Sequence, residues 1–309
     1  MEIIDAQLHP NRMGPDWTDA GPEALVAATV AAMDAVGVDA ALLDEWSGWT
    51  EDGRSLPGHD MPNGARRTDY PVSERAVARF PGRFAYYARY DLRDPDLGDL
   101  MADLRKHPGR LALRWFPQNG AGGVLQTPAG PVDDDSPLLA SYLRYFALAQ
   151  KHEIPVFLVV PGQSRLLEPF VRRFDELWFV VDHCGIAFPT AGEAGPDRFD
   201  GLSAVAKLAR YPNVALKWCH APRLSIGEYP YPDVLEWFVK MLGAYGPERI
   251  IWASDHTQGL RPDANVRTFS WAESLNYLLH SGVMSQAEKE WVFGKALRQI
   301  LRWHPAQIR

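Results

Sequence analysis

The chain has 309 residues, 46% of them apolar and 23% charged, with a formal net charge of −7 and a pI near 5.7. These are values of a folded globular protein, and the acidic balance argues against a nucleic-acid partner. Cys184 and Cys219 are too few for a disulfide framework, the opening MEIIDAQLHP has no basic or apolar leader pattern, and no uncharged apolar run approaches the ~18 residues of a membrane helix. The expectation is a cytoplasmic protein that neither enters nor crosses a membrane.

Short apolar runs then alternate with helical segments along the whole chain. Glu2–Asp5 predicts a first strand and Pro22–Val36 a helix after it. Val38–Asp44 precedes the helical Val72–Arg79, Arg83–Arg89 precedes Asp96–Lys106, and Arg110–Phe116 precedes Pro137–His152. Pro155–Val160 leads to Ser164–Phe174, Leu177–His183 to Gly201–Arg210, and Asn213–Cys219 to Asp233–Ala244. The eighth strand, Arg249–Asp255, is followed by helical periodicity over Val266–His280 and by one or two further helices in Ser285–Trp303.

Eight β-then-α units imply parallel strands, right-handed crossovers and closure into a (β/α)8 TIM barrel, here with an extra C-terminal helix. Runs such as WFVVD, VFLVV and IIWAS suit strands buried on both faces. An open doubly wound sheet is the weaker alternative, because no glycine-rich phosphate loop follows the first strand. No linker composition divides residues 1–309, so one domain is expected. The long segments Trp46–Tyr70, Pro117–Ser136 and Ile186–Asp200 all follow strands and belong to the C-terminal face, where barrel enzymes keep their sites. They carry Trp46, Trp49, His59, Tyr70, Gln118 and Asn119 as possible pocket residues.

Strand ends carry the chemistry. The first reads Asp5-Ala6-Gln7-Leu8-His9, and a period of two puts Asp5, Gln7 and His9 on one face. Arg89 and Asp91 end the third, where a pair between the two is the alternative to a substrate-binding Arg89, and Arg114 sits near the end of the fourth. The sixth ends Asp182-His183-Cys184-Gly185, the seventh runs Lys217-Trp218-Cys219-His220 toward Arg223, and the eighth ends Ser254-Asp255-His256. Ionisable groups gathered at one level of an apolar barrel point to a shared site. On the seventh strand either Lys217/Cys219 or Trp218/His220 could face inward. If His183 faces the mouth, alternation turns Cys184 toward the helices. Arg66-Arg67 and Arg172-Arg173 read as solvated. No Gly-x-Ser-x-Gly elbow supports a serine nucleophile.

These stretches resemble the amidohydrolase superfamily, in its amidohydrolase-related branch of lactonases and decarboxylases, over the whole chain. IIDAQLH sits where that family has I-D-x-H-x-H, VVDHCG resembles its strand-6 His-x-Gly, VALKWCHAPRLS its strand-7 stretch, IIWASDH its G-S-D and VFGKALRQIL its closing G-N-A-x-R-x-L. Two departures stand out. Gln7 replaces the first histidine of the pair, and IPVFLVVPGQ lacks the His or Lys that metal-dependent members place on strand 5. The resemblance therefore implies no two-metal centre. It implies metal-free operation or, as the alternative, one divalent ion, zinc above all, at His9, His183 and Asp255, with the Gln7 carbonyl as a weak fourth ligand.

The expected activity is hydrolysis of a small carboxylated lactone. Asp255 is the general base toward water, and His183 and His9 hydrogen-bond the carbonyl oxygen, preaimed donors being worth ~3 kcal/mol each. Gln7 adds an amide donor. Arg114 and Arg223, which match arginines of the lactonases in the resemblance, bind substrate carboxylates, with Arg89 as a third candidate and His220 and His256 in secondary places. The expected partner is a small anionic substrate, and branch members suggest a homodimer. The rival readings are a decarboxylase or hydratase of an unsaturated acid and a barrel that binds a ligand without turning it over.

Overall fold

The computed structural model describes residues 1–10, 21–45, 58–115, 126–127, 130–131, 137–186, 199–259 and 267–304. Eight strands form one sheet: β1 (Ile4–Leu8), β2 (Ala40–Leu43), β3 (Phe84–Ala88), β4 (Arg110–Trp115), β5 (Val156–Leu158), β6 (Phe179–Val181), β7 (Val214–Cys219) and β8 (Ile250–Ala253). Each pairs in parallel with the next in sequence. The helices between them are α1 (Pro22–Val36), α2 (Pro71–Arg79), α3 (Leu97–Asp103), α4 (Pro137–Lys151), α5 (Glu168–Arg173), α6 (Asp200–Leu208) and α7 (Pro232–Tyr245). After β8 come α8 (His256–Gly259), α9 (Trp271–Leu279), α10 (Gln286–Glu290), a π-helical turn over Trp291–Lys295, and α11 (Ala296–Leu301). This is a (β/α)8 barrel with a C-terminal helical extension.

Alternation sorts the apolar side chains into two shells. Inside lie Ile4, Ala6, Leu42, Ala85, Tyr87, Ala112, Phe157, Val180, Ala215 and Ile251, where alanines make room for the Tyr87 and Phe157 rings. Leu297, Ile300 and Leu301 of α11 join this inner cluster. The other face of each strand meets the helices, through Leu8, Leu43, Tyr86, Leu113, Leu158, Val181, Leu216 and Trp252. Among the described residues no helix is long and apolar enough to cross a membrane.

Local chemistry sets the element ends. Ser270 and Ser285 each form a capping box, with Glu273 and Glu288 respectively, which fixes where α9 and α10 start. Gly37 ends α1 in the left-handed region at φ 78°, a conformation that costs glycine nothing. The long loop expected over Trp46–Tyr70 contains a short hairpin, Gly58–Asp60 with Arg66–Thr68, whose three-residue strands give too little periodicity to read from sequence.

β1 departs from strict alternation. Its register against β2 shifts between Asp5 and Leu8. Ala6 lies in the inner shell and Leu8 in the outer one, yet the Gln7 side chain between them also reaches groups inside the barrel. Asp5, Gln7 and His9 therefore do not share a face as the period of two predicts. The irregularity turns Gln7 and His9 inward and leaves Asp5 between β1 and β8.

Candidate active site

The strand ends converge on Asp255. Its Oδ1 lies 3.0 Å from His9 Nε2, and its Oδ2 lies 3.1 Å from His183 Nε2 and 3.6 Å from His220 Nδ1. All four side chains are buried. Their backbones explain how residues just past three different strands reach one point. His183, His220 and Asp255 adopt left-handed φ values of 49°, 64° and 49°, each costing about 1–3 kcal/mol that the surrounding fold must hold in place. A residue in that conformation turns its side chain off the strand's alternating course. This resolves the ambiguity on β7: Lys217 and Cys219 face inward, Trp218 faces the helices, and His220 nevertheless swings into the mouth.

Beneath this group lies a buried ionic layer organised around Gln7. Its Oε1 accepts from Lys217 Nζ at 2.6 Å and from Arg114 Nη1. Two cationic donors on one oxygen fix which way round the amide sits. Its Nε2 therefore faces Asp44 Oδ2 at 3.1 Å and His9 Nε2 at 3.2 Å. Asp44 also accepts from Arg89 Nη2 on both of its oxygens, at 2.6 and 2.7 Å, and lies 3.4 Å from Arg114 Nε. Asp182 pairs with Arg114 Nη1 at 2.9 Å and with Lys217. Lys217 lies 5.6 Å from the centres of the Tyr87 and Phe157 rings. His9 Nδ1 is 2.7 Å from the Asp44 carbonyl, which makes Nδ1 the protonated nitrogen.

Burial and charge together set the protonation states. For Asp255, burial alone would raise the carboxyl. Electrostatic interaction with the surrounding imidazoles, His220 foremost, and the hydrogen bond with His183 outweigh it and hold the group well below the usual carboxylate range. Asp44 and Asp182 follow the same pattern: burial opposes ionisation, but Arg89 and Arg114 at one, and Arg114 and Lys217 at the other, keep both ionised. Burial pushes His220 down to about 3 and His256 to about 4, and it lowers His183 as well, so these imidazoles are neutral at physiological pH. Asp5 behaves differently. Burial lifts it to about 6 against hydrogen bonds from Ser254 and Gln7.

Gln7, His9, Arg114, His183, His220 and Asp255 thus occupy one continuous cluster. Arg223 follows in the short 3-10 turn Ala221–Leu224, half-buried, and its charge is felt by His220. His256 stacks on Trp271, ring centres 4.2 Å apart and planes within 6°. Arg89 is held by Asp44 and not by Asp91, whose partner is Arg93 at 2.7 Å. Arg67 is not simply solvated either, since it bridges Asp94 and Asp96. Tyr70 braces Arg89 through the main chain, while His59 is exposed on the hairpin. Cys184 belongs to the outer shell and its thiol donates to the Cys219 carbonyl at 3.5 Å. Trp46, Trp49, Gln118 and Asn119 lie outside the described residues. Sequence reading passed over Asp44, Asp182 and Lys217 as site members. Each is a charged residue ending or interrupting an apolar strand, which is the signal used for the others.

The donor set can be tested for a cation. One ligand atom each from His183, His220 and Asp255 lies within 4.8 Å of the others, and two imidazoles with a carboxylate suit zinc. The Gln7 carbonyl does not complete such a set, because Lys217 and Arg114 already occupy it. Their positive charges also disfavour a second ion at that level. The residues fit one divalent ion, with His220 in a ligand place that sequence assigned to His9, and they do not fit two.

A barrel with ionisable side chains gathered at its strand ends is the architecture of a (β/α)8 enzyme. The particular family follows from comparison: the amidohydrolase family model matches residues 4–302, and the chain belongs to that family. No curated protein matches the chain. Among solved structures it is similar to an amidohydrolase from Burkholderia multivorans with bound zinc, at 17% identity and a TM-score of 0.66, over 98% of this chain and 100% of that one. It is also similar to a Pseudomonas putida protein provisionally described as a 2-pyrone-4,6-dicarboxylic acid hydrolase, at 18% identity and a TM-score of 0.65, over 98% of both chains. A third similar structure is a 2,6-dihydroxybenzoate decarboxylase from Rhizobium, at 13% identity and a TM-score of 0.54, over 98% of this chain and 99% of that one. At these identities the likeness concerns the fold.

Proposed function

We propose that the protein hydrolyses a small carboxylated lactone, with Asp255 taking a proton from the attacking water. The observation that carries this reading is the company Asp255 keeps. Among the described residues it forms ion pairs with three imidazoles, those of His9, His183 and His220. An ionised carboxylate ringed by imidazoles can accept a proton from water, whereas Asp44 and Asp182 are paired directly with arginine and lysine. His183 and His220, neutral beside it, position that carboxylate and supply dipoles near the developing oxyanion. Arg223, half-buried next to His220, receives the substrate carboxylate. Arg114 is engaged by Asp182, Asp44 and Gln7, so it acts through the framework and not on the substrate. A divalent ion held by His183, His220 and Asp255 would supply Lewis-acid polarisation of the carbonyl when bound.

The test is a panel of sugar-acid lactones and 2-pyrone-4,6-dicarboxylate, followed by acid release, with wild type and Asp255→Asn, each with and without chelator. Ring opening by wild type and a loss of at least 10³-fold in Asp255→Asn is the expected result. Retention of turnover in that variant overturns the base assignment. The His183–His220–Asp255 cluster favours one second reading, decarboxylation of a small aromatic or unsaturated acid. Release of CO2 from such acids, without ring opening of any lactone, would establish that reading in place of the first.

A further inference from the structure

Asp5 is fully buried and meets none of the side chains gathered around Asp255, but it hydrogen-bonds the main chain of Gln7 and both the main chain and hydroxyl of Ser254, which flank that cluster. Among the described residues the sheet order runs from β1 to β8 without a ladder returning the last strand to the first. The register of β1 against its other neighbour, β2, shifts between Asp5 and Leu8. Two main-chain N–H groups, those of Gln7 and Ser254, face the seam at this point. Asp5 Oδ1 accepts from both, at 3.0 and 2.9 Å, and its Oδ2 accepts from the Ser254 hydroxyl. Ser254 Oγ in turn accepts from His256 N at 3.2 Å, and Asp255 N donates to the Gln7 carbonyl at 3.2 Å.

We propose that Asp5 is a positioning residue for Asp255. Its carboxylate replaces the missing ladder carbonyls at the barrel seam, ties β1 to β8, and holds both flanks of the left-handed Asp255 backbone. The physical argument is one of satisfied donors. A buried N–H without an acceptor is costly, and a carboxylate is the one side chain that can accept from two main-chain N–H groups and a hydroxyl at once. Asparagine in its place would keep one oxygen for the two N–H groups but turn the other acceptor into a donor, so the Ser254 hydroxyl, which already accepts from His256 N, would lose its own acceptor. Ser254 and Gln7 would then move apart, and the φ of 49° at Asp255 would lose the contacts that maintain it. Because one end of Gln7 is fixed by Lys217 and Arg114, the freedom gained falls mainly on the β8 side. This inference rests on the reading of Asp255 as the base.

The experiment has two arms so that the two readings fail separately. The first needs no substrate: a crystal structure of Asp5→Asn, in which the Asp255 carboxylate is expected to leave hydrogen-bond distance of His9 or His183. Unchanged Asp255 geometry overturns the proposal whatever the protein turns over. The second uses the lactone hydrolysed fastest by wild type. Asp5→Asn is expected to lower kcat at least tenfold with KM changed less than threefold. Ser254→Ala, which removes only the hydroxyl and keeps both N–H contacts, lowers kcat two- to fivefold, and Ser254→Thr restores it. If Asp5→Asn does not fold, the serine pair decides: wild-type kcat in Ser254→Ala, or no rescue by threonine, overturns the proposal. A fall in kcat that merely parallels a fall in folded fraction does so too.

Discussion

At the scale of single residues the site is a contest between desolvation and pairing. Lys217 has no exposed side chain and meets Asp182 and Gln7. Removing one partner of a buried pair costs about 3–5 kcal/mol when the other charge is left uncompensated, and because Asp182 keeps Arg114 as a second cation the loss of Lys217 falls at the lower end of that range. Lys217→Met should therefore cost about that much in urea denaturation at pH 7. A loss under about 1 kcal/mol would mean that Asp182 protonates without penalty. Asp5 shows the opposite balance. Its carboxyl rises from 3.8 to about 6 because burial outweighs its hydrogen bonds from Ser254, Gln7 and Trp271. The folded state then binds the proton more tightly than the unfolded one. Stability from this group is greatest at low pH and is lost as pH climbs from about 4 through 6, by about 3 kcal/mol in total. The difference in unfolding free energy between wild type and Asp5→Asn should change in that direction over that window. A flat difference would show that Asp5 is already ionised in both states. At neutral pH the seam is thus held by a carboxylate whose ionisation weakens the fold, a trade common where position matters to function.

At the scale of elements, strand ends do two jobs with adjacent residues. Asp44 turns into the ionic layer, while Glu45 turns outward and accepts from the Val72 and Ser73 N–H groups at the start of α2, at 3.2 and 2.8 Å. That carboxylate satisfies main-chain donors left open by helix geometry and sits at the positive end of the helix. Glu45→Ala should cost about 2 kcal/mol by thermal melting, with activity falling only as far as Asp44 is disturbed. The same scale shows what was legible in the sequence. The eight strands and most helices follow from apolar runs and 3.6-residue periodicity, which depend on local composition. Gln7, His9, His183 and Asp255 were readable as polar residues ending apolar strands. Three features were not. The hairpin Gly58–Asp60 with Arg66–Thr68 is too short to carry a period. The register shift in β1 moves Asp5 off the face of Gln7 and His9, and it is a matter of pairing with β2, a strand over thirty residues away, which no local window contains. The inward turn of His220 depends on a left-handed backbone at a non-glycine residue, which strand parity cannot anticipate.

For the whole molecule, burial makes both thiols silent. Cys184 is pushed up to about 12, and Cys219 well above its ordinary value. Both should resist a thiol reagent in the native state and react together when urea unfolds the chain. Reaction of either thiol in folded protein would reveal local opening of the outer shell or the barrel interior.

Cation binding provides a second test on the whole molecule, since a site assembled from β6, β7 and β8 exists only when the barrel is closed. His183, His220 and Asp255 come from residues up to 72 positions apart, so the unfolded chain offers no comparable site. An ion bound by these three should stabilise the fold by mass action, about 2.7 kcal/mol at a hundredfold excess over Kd, or several degrees in Tm. Chelator-treated protein titrated with Zn2+ should show this rise with a stoichiometry of one. His220→Ala should abolish most of it, while His9→Ala should leave more of it intact, because His9 directs its protonated Nδ1 to the Asp44 carbonyl and shares its Nε2 with Gln7. A titration reaching two ions per chain would contradict the placement of Lys217 and Arg114 on the Gln7 carbonyl. Equal losses in the two variants would restore His9 to the ligand set.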